Sequence, residues 1–364
     1  MANIRTFYAC QSLAARGPSG SDGDAVAGNF KTTSYEAIEG ISTLGMTTNY
    51  NLEPIYQIGR LAPADLYENN PEVELSITQT LSEGTNLIQY MMGTGTLNSL
   101  SDARGGLLLS IFPETVASGA GNRLASIEIE PAYIQSLSLN FSTDAPFTAD
   151  YTVVGNSKVY EQHNLGSPFN STPRETLTGI VRRQSMFGPG PAATNSKFTN
   201  YNGKGGALPS GSKVQNITVS VDLGREEIYE MGKVLPFARY INFPVEVTTE
   251  FEVIVASGDM AEIKLPESTS CTDLVPRNIT PQPIEFRLCD SRGESFDRYD
   301  LGNKNYLQSV TQAGGDGGGG NVTYTYSYIN YSDFGFVNED YGIIESFDME
   351  KVDFEKYDSL GYKK

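Results

Sequence analysis

The 364-residue chain has no tryptophan, one histidine, three cysteines and far fewer bases than acids, 26 against 44. Each shortage excludes something. Cys10, Cys271 and Cys289 are odd in number and lie at no metal-ligand spacing, so neither a disulfide framework nor a zinc site is expected, and a reducing compartment is. His163 sits in the polar run Gln162-His163-Asn164-Leu165-Gly166 and reads as a solvated loop histidine rather than half of a Cys–His pair. The shortage of bases leaves a net charge of −18. Divided at residue 172, the first part holds 17 acids and 7 bases and the second 27 and 19, so both are acidic. Nucleic-acid affinity comes from neutralising phosphates with Lys and Arg, so this chain should not grip DNA, although it can face DNA without binding it. No apolar run approaches the ~18 residues of a membrane span. Met1-Ala2-Asn3-Ile4-Arg5 also lacks the charged-then-apolar form of a secretory leader. Triplets such as Asn216-Ile217-Thr218 therefore carry no expectation of glycosylation.

What is abundant is glycine (37), tyrosine (21), threonine and serine, a β-rich and turn-rich composition. The chain also echoes itself. Glu53-Pro54-Ile55-Tyr56-Gln57-Ile58-Gly59-Arg60-Leu61-Ala62-Pro63, continued through Tyr67, Asn69 and Pro71, returns 173 residues later. The second version is Glu226-Glu227-Ile228-Tyr229-Glu230-Met231-Gly232-Lys233-Val234-Leu235-Pro236, continued through Tyr240, Asn242 and Pro244. Eight of nineteen positions are identical, where unrelated segments share roughly one in fifteen. The same offset relates Gln11-Ser12 to Gln184-Ser185, Gly17-Pro18 to Gly190-Pro191, and Asn29 and Lys31 to Asn202 and Lys204. It also relates Tyr133-x-Gln135-Ser136 to Tyr306-x-Gln308-Ser309, and Tyr151-Thr152 to Tyr324-Thr325. The expectation is a tandem duplication of a whole domain, with residues 1–172 and 173–341 as the two units and 342–364 as a tail.

Alternation predicts the elements. Strands are expected over 4–13, within Ile38 to Tyr56, over Val73–Leu81 and Leu107–Phe112, from Leu124 to Ile129, from Ile134 to Phe141, and over Tyr151–Val154. Thr85 to Met92 is the best helix, with Leu87, Ile88, Met91 and Met92 facing a core. Pro63 and Pro71 bracket a loop, and 14–30 reads as a polar loop or arm. Residues 155–215 read as a junction and loop, apart from a strand from Thr176 to Met186. Further strands are expected over Ile217–Leu223, Val245–Val255, Ile284–Leu288 and Asn321–Tyr328, the last after a flexible glycine turn at 314–320. The tail spaces Phe347, Met349, Val352, Phe354, Tyr357 and Leu360 through charged residues, a pattern that needs a partner surface to order. The fold class is thus mainly β, with a sandwich-like or barrel-like unit and a short helix, present twice.

No catalytic constellation emerges. Asp22-Gly23-Asp24 lacks the remaining ligands and closing Glu of a calcium loop. Gly211-Ser212-Lys213 lacks the Gly-Lys-Ser/Thr order of a phosphate loop. Glu53 and Glu226 are one acid in each unit, not an acid–base pair. The best-kept residues of the two units are Tyr, Pro, Asn, Gly and Ile, which shape turns and packing. No catalytic residue, cofactor or metal ligand is assigned, and the chain is not expected to be an enzyme.

At Ile55-Tyr56-Gln57-Ile58-Gly59 … Asn69-Asn70-Pro71-Glu72-Val73-Glu74-Leu75-Ser76-Ile77, and again at Gly317–Gly320 followed by Asn321-Val322-Thr323-Tyr324-Thr325-Tyr326, the chain resembles tail tube proteins of tailed bacteriophages. The resemblance implies a β-sandwich or barrel-like unit with a flanking helix. Six units would form a ring, and stacked rings a conduit for DNA ejection. With two units per chain the ring would be a homotrimer of pseudo-hexameric shape. The implied partners are other copies of the chain, a sheath if the tail contracts, a baseplate hub, a tail terminator, a tape measure, and DNA in transit. The implied location is the virion tail, after synthesis in the host cytoplasm. Long Thr/Tyr strands suit sheet edges shared between subunits. The segments 14–30, 187–203 and 342–364 are candidates for locking stacked rings. An acidic lumen would let phosphates slide, although acidity also serves plain solubility. Alternatives within the same particle are a hub that starts the tube or a capsid-decorating protein. A carbohydrate-binding or hydrolytic virion β-protein would need the aromatic platforms or paired carboxylates that are missing.

Overall fold

A computed structural model describes residues 11–17, 35–68, 71–84, 86–91, 95–96, 104–112, 125–162, 179–187, 200–201, 204–205, 208, 213–232, 236, 238–254, 281–289, 295–314 and 321–338. Within them the chain is mainly β, as its alternating patterns dictate. The first part runs β1 (Gln11–Arg16), β2 (Glu36–Ala37), β3 (Ile41–Asn49), β4 (Leu52–Ile55), β5 (Asp65–Glu68), β6 (Glu72–Thr80), helix α1 (Leu87–Met91), β7 (Gly95–Thr96), β8 (Gly105–Ile111), β9 (Ala125–Ser142), β10 (Thr148–Gly155) and β11 (Lys158–Gln162). The second runs β12 (Met186–Phe187), β13 (Asn200–Tyr201), β14 (Lys204–Gly205), β15 (Lys213–Asp222), β16 (Glu226–Ile228), β17 (Ala238–Tyr240), β18 (Glu246–Ile254), β19 (Glu285–Cys289), β20 (Ser295–Asp300), β21 (Tyr306–Ala313), β22 (Thr323–Tyr331) and β23 (Gly335–Asn338).

Eight strands make one continuous antiparallel front layer in the order β3-β6-β10-β9-β15-β18-β22-β21. Behind it, β2-β1-β8-β9-β11 and β12-β19-β20-β23-β7 form two smaller back layers. Strand β9 belongs to both layers. Its start pairs with β8 and β11, and its end pairs with β10 and β15. The period-two side-chain rule sends Leu75 and Ile77, Leu137 and Leu139, Ile217 and Val219, and Val247 and Phe251 backward into one core.

The pairings of the two parts correspond. In the front layer β3-β6-β10-β9 has its counterpart in β15-β18-β22-β21, and behind it β1-β8-β9-β11 has its counterpart in β12-β19-β20-β23. The irregularities correspond too. A bulge falls between Ile41 and Thr43 in β3 and between Val214 and Asn216 in β15, an offset of 173. Another bulge, beside Gln135 in β9, recurs beside Gln308 in β21, so the shared Tyr-x-Gln-Ser motif is a bulge motif. The offset then drifts. Leu44 faces Ile77 whereas Ile217 faces Phe251, and Ile77 faces Tyr151 whereas Phe251 faces Tyr326. Tyr326, not Tyr324 as the constant offset implies, therefore stands in the place of Tyr151.

Several sequence expectations differ from what forms. Residues 125–142 are one strand rather than two. The loop bracketed by Pro63 and Pro71 contains β5, which pairs with β4 as a hairpin. Ala14 and Ala15, expected in a polar arm, lie buried in β1, because β8 and β2 cover both edges of that strand. From Thr176 to Met186 the described residues hold an isolated bridge at Ile180, a 3-10 turn at Arg183–Ser185 and only the start of β12. Strand β11 lies in a stretch read as loop, since its polar sequence carries no alternation. Residues 4–10, 18–30, 188–199, 315–320 and 342–364 lie outside the described residues.

Helix α1 is short, and all five residues are buried. Its entry is held by Gln89, whose Oε1 accepts from the Asn86 backbone N–H at 3.4 Å, one arm of a capping box. Gln79 of β6 accepts from Leu87 N–H at 2.9 Å. The same entry grips the second part. Asn86 Nδ2 donates to Asp297 Oδ2 at 2.9 Å and Gln89 Nε2 to Oδ1 at 3.5 Å, with Asp297 fully buried in β20. Alongside, Phe141 of β9 meets Phe147, Phe286 and Tyr299 edge-on at 5.1, 5.0 and 5.9 Å between ring centroids, and Phe286 stacks on Tyr299 at 5.2 Å. Burial and the Asp297 carboxylate hold the Tyr151 and Tyr299 phenols well above their ordinary pKa, so both stay neutral.

Two substitutions separate packing from polarity here. Phe286→Ala should cost about 3–5 kcal/mol in denaturant unfolding, because the cluster cannot collapse around the hole. Tyr299→Phe should leave stability unchanged or raised, because the buried Tyr299 hydroxyl has no hydrogen-bond partner to lose.

Candidate functional site

The residues weighed for chemistry do not converge. Cys10, His163, Cys271, Asp22-Gly23-Asp24 and Gly211-Ser212 lie outside the described residues. Cys289 is buried in β19, and Lys213 is exposed at the start of β15. Glu53 and Glu226 sit at the same place in two separate hairpins, opposite Tyr67 and Tyr240 respectively. Among the described residues no group of three or more His, Cys, Asp or Glu could hold a metal ion. Among them, too, no helix is long and apolar enough to cross a membrane.

The features that stand out are surfaces. The outward face of the front layer is hydroxyl-rich and acidic. Ser76, Thr78, Ser136, Ser138, Thr152, Ser220 and Thr248 line a depression with Asp150, Asp222 and Glu246. Glu74, Glu250 and Glu252 alternate outward on the neighbouring strands, and Lys213 stands at the rim. Thr78 Oγ1 donates to Asp150 Oδ1 at 2.6 Å.

The layer is open at both ends. Among described strands β3 pairs only with β6, and β21 only with β22, leaving one edge of each ladder unfilled. The middle of the layer shows how such edges can meet. Strand β9 joins β15 in register from Asn216 opposite Ser142 to Asp222 opposite Ser136. Strand β9 is the counterpart of β21, and β15 of β3.

Two hairpins project from the layer. β4–β5 and β16–β17 keep the same register, Ile55 opposite Asp65 and Ile228 opposite Ala238. Their tips turn at Gly59 and Gly232, with φ of +90° and +88°, a region that disfavours any side chain. Around those turns Ile58, Leu61 and Met231 are fully exposed, and Tyr56 and Tyr229 largely so. The most nearly identical stretch of the two parts is therefore surface, a fact the sequence carried without saying why.

The hairpins differ at their bases. In the second, Arg225 lies over the Tyr133 ring at 5.2 Å and donates from Nε to Ile134 O at 2.6 Å and from Nη1 to Arg239 O at 2.9 Å. Arg239 is buried, with Nε donating to Asn156 Oδ1 at 2.6 Å and ion pairs to Glu72 and Glu227. This guanidinium network binds the second hairpin to the first part of the chain. In the first hairpin the same positions hold Leu52 and Leu66, both exposed. Sequence reading missed the two arginines because they fall at positions that differ between the parts.

Arg239→Ala should cost about 1–3 kcal/mol of stability, since it leaves the buried Asn156 amide oxygen without its donor while Glu72 and Glu227 keep contact with water. Leu66→Ala, at the corresponding exposed site, should stay within about 0.5 kcal/mol of the parent in the isolated chain. Urea titration of both variants checks the contrast.

Compared with known protein families and with curated proteins, the chain matches none.

Proposed function

We propose that the chain is a structural subunit built as two copies of one β unit. Copies of the chain close into a ring by continuing the front layer from one molecule to the next, and the rings stack as a tail tube of a bacteriophage virion. The observation that carries this reading is the β9–β15 ladder. It joins the last front strand of one unit to the first front strand of the next, and the two strands left open at the ends, β21 and β3, are their counterparts. Placing β21 beside β3 of a second molecule repeats a contact already made inside the chain. Shifted by 173, the internal register puts Asn49 opposite Ser309, Thr47 opposite Thr311 and Gly45 opposite Ala313. A heterologous contact of this kind generates a closed ring when its rotation closes. If six units are needed, three chains supply them.

Other features fit the same reading. The acidic, hydroxyl-rich face would line the ring's interior, where it repels phosphates and lets DNA pass without sticking. The two hairpins offer matched apolar tips in every unit, as ring-to-ring stacking requires. Partners beyond the chain itself, such as a hub, terminator, tape measure or sheath, follow from the reading and not from any surface described above. No catalytic role is assigned.

Native mass measurement tests the proposal. The expected particle is three times the 39.6 kDa chain mass, or stacks of that ring. Gln312→Pro, which removes an edge N–H from β21 without touching the β9–β15 ladder, should abolish closure and leave folded monomer. A parent chain that stays monomeric at high concentration would overturn the reading. A particle of a single ring that never stacks would favour a tube-starting hub.

A further inference from the structure

Resting on that ring reading, we infer that neighbouring molecules are locked by an apolar contact, Leu52 and Leu66 of one chain against Tyr306 and Tyr331 of the next. It stands where the chain's internal junction uses arginines. The internal junction supplies the template. There, Arg225 covers Tyr133 and Arg239 meets Asn156. Each of these four residues has a definite counterpart. Leu52 and Leu66 correspond to Arg225 and Arg239 in the common hairpin register. Tyr306 corresponds to Tyr133, two residues before the Gln308 bulge as Tyr133 is two before Gln135. Tyr331 corresponds to Asn156, because Gly155 stands opposite Val73 and Asn330 opposite Val247, and each is followed by the residue in question.

All four counterparts are large and apolar, and all are exposed: Leu52 by 52%, Leu66 by 56%, Tyr306 by 41% and Tyr331 by 56%. The corresponding internal residues Tyr133 and Arg239 are buried, at 1% and 3%. Two of the exposed residues lie on the β3 flank and two on the β21 flank, so neither pair can cover the other within one chain. The occupant is a second copy, because continuing β21 into β3 brings the two flanks together in the geometry that already joins β9 to β15.

Occupancy specifies the order. Strand β15, Arg225 and Arg239 are already engaged by β9, Tyr133 and Asn156 inside the chain, so β21 of one molecule has β3 of another to meet. Leucine against the tyrosine ring buries no charge, and the phenol hydroxyls can stay in water at the rim of the contact. Each flank therefore fits one partner, and units alternate around the ring.

The test uses the full chain. Leu52→Asp and Leu66→Asp replace exposed side chains, so the monomer should keep its circular dichroism and melting temperature. The concentration needed for ring assembly should rise roughly tenfold or more, as for central interface residues. A triple variant, Leu52→Arg with Leu66→Arg and Tyr331→Asn, rebuilds the arginine–tyrosine and arginine–asparagine contacts of the internal junction and should recover part of the lost assembly, which a merely solubilising effect would not. If the parent forms rings and both Asp variants assemble equally well, the contact is wrong and the ring reading stands. If the parent forms no ring, the ring reading falls and this contact falls with it.

Discussion

The backbone ladder between β9 and β15 is the contact on which the rest of the molecule depends. It turns two four-stranded groups into one eight-stranded layer, and it sets their relative position through seven consecutive residue pairs, Asn216–Ser142 to Asp222–Ser136. Everything else at the junction is arranged around it. Behind the ladder, Asp297 accepts from Asn86 and Gln89, and β7 adds to β23. At the hairpin bases the Arg225 and Arg239 network fills the remaining gap. A ladder alone is sequence-tolerant, since main-chain groups are the same everywhere. The buried carboxylate and the two guanidiniums make this one specific, because each would be costly to bury in any other register.

A layer made this way keeps the problem that every open sheet has. Among the described residues its outer strands carry unfilled hydrogen-bonding groups, and strands of this kind recruit others. β3 and β21 each carry one bulge but lack the charged side chains and prolines that guard such edges. β21 is exposed along most of its length and has no proline or lysine, and β3 is rich in Thr with no charged residue. In the proposed ring these two edges would meet as the internal ladder does. The acidic outward face then has a consequence for geometry. In the proposed ring, turning this face inward would concentrate like charge, which backbone pairing and apolar contacts at the flanks would have to offset.

How much of this could be read from residues alone depends on which signal each feature leaves. Core strands such as β6 and β18 alternate apolar and polar residues, so the mainly β class and strands such as β6, β8, β15, β18 and β22 were legible. The offset of 173 was legible because Gly, Pro and Tyr persist at turns and bulges, and the bulge at Gln135 recurs at Gln308. What was not legible has physical reasons. β5 and β11 are hairpin or edge strands with no buried face and hence no period. The split reading of 125–142 came from Pro131, which interrupts alternation where β9 passes between layers. The drift that puts Tyr326 rather than Tyr324 in the place of Tyr151 comes from single-residue insertions that a fixed offset cannot see. The arginine network leaves no repeat signal, because the junction depends on positions where the two parts differ.

The account stands or falls on whether the two open edges meet. A reconstruction of the assembled particle that resolves strands decides it. The account predicts a closed ring in which β3 of each chain lies antiparallel to β21 of the next, with Thr47 opposite Thr311 and the acidic face inward. A ring joined through any other surface, with β3 and β21 both facing solvent, would contradict it.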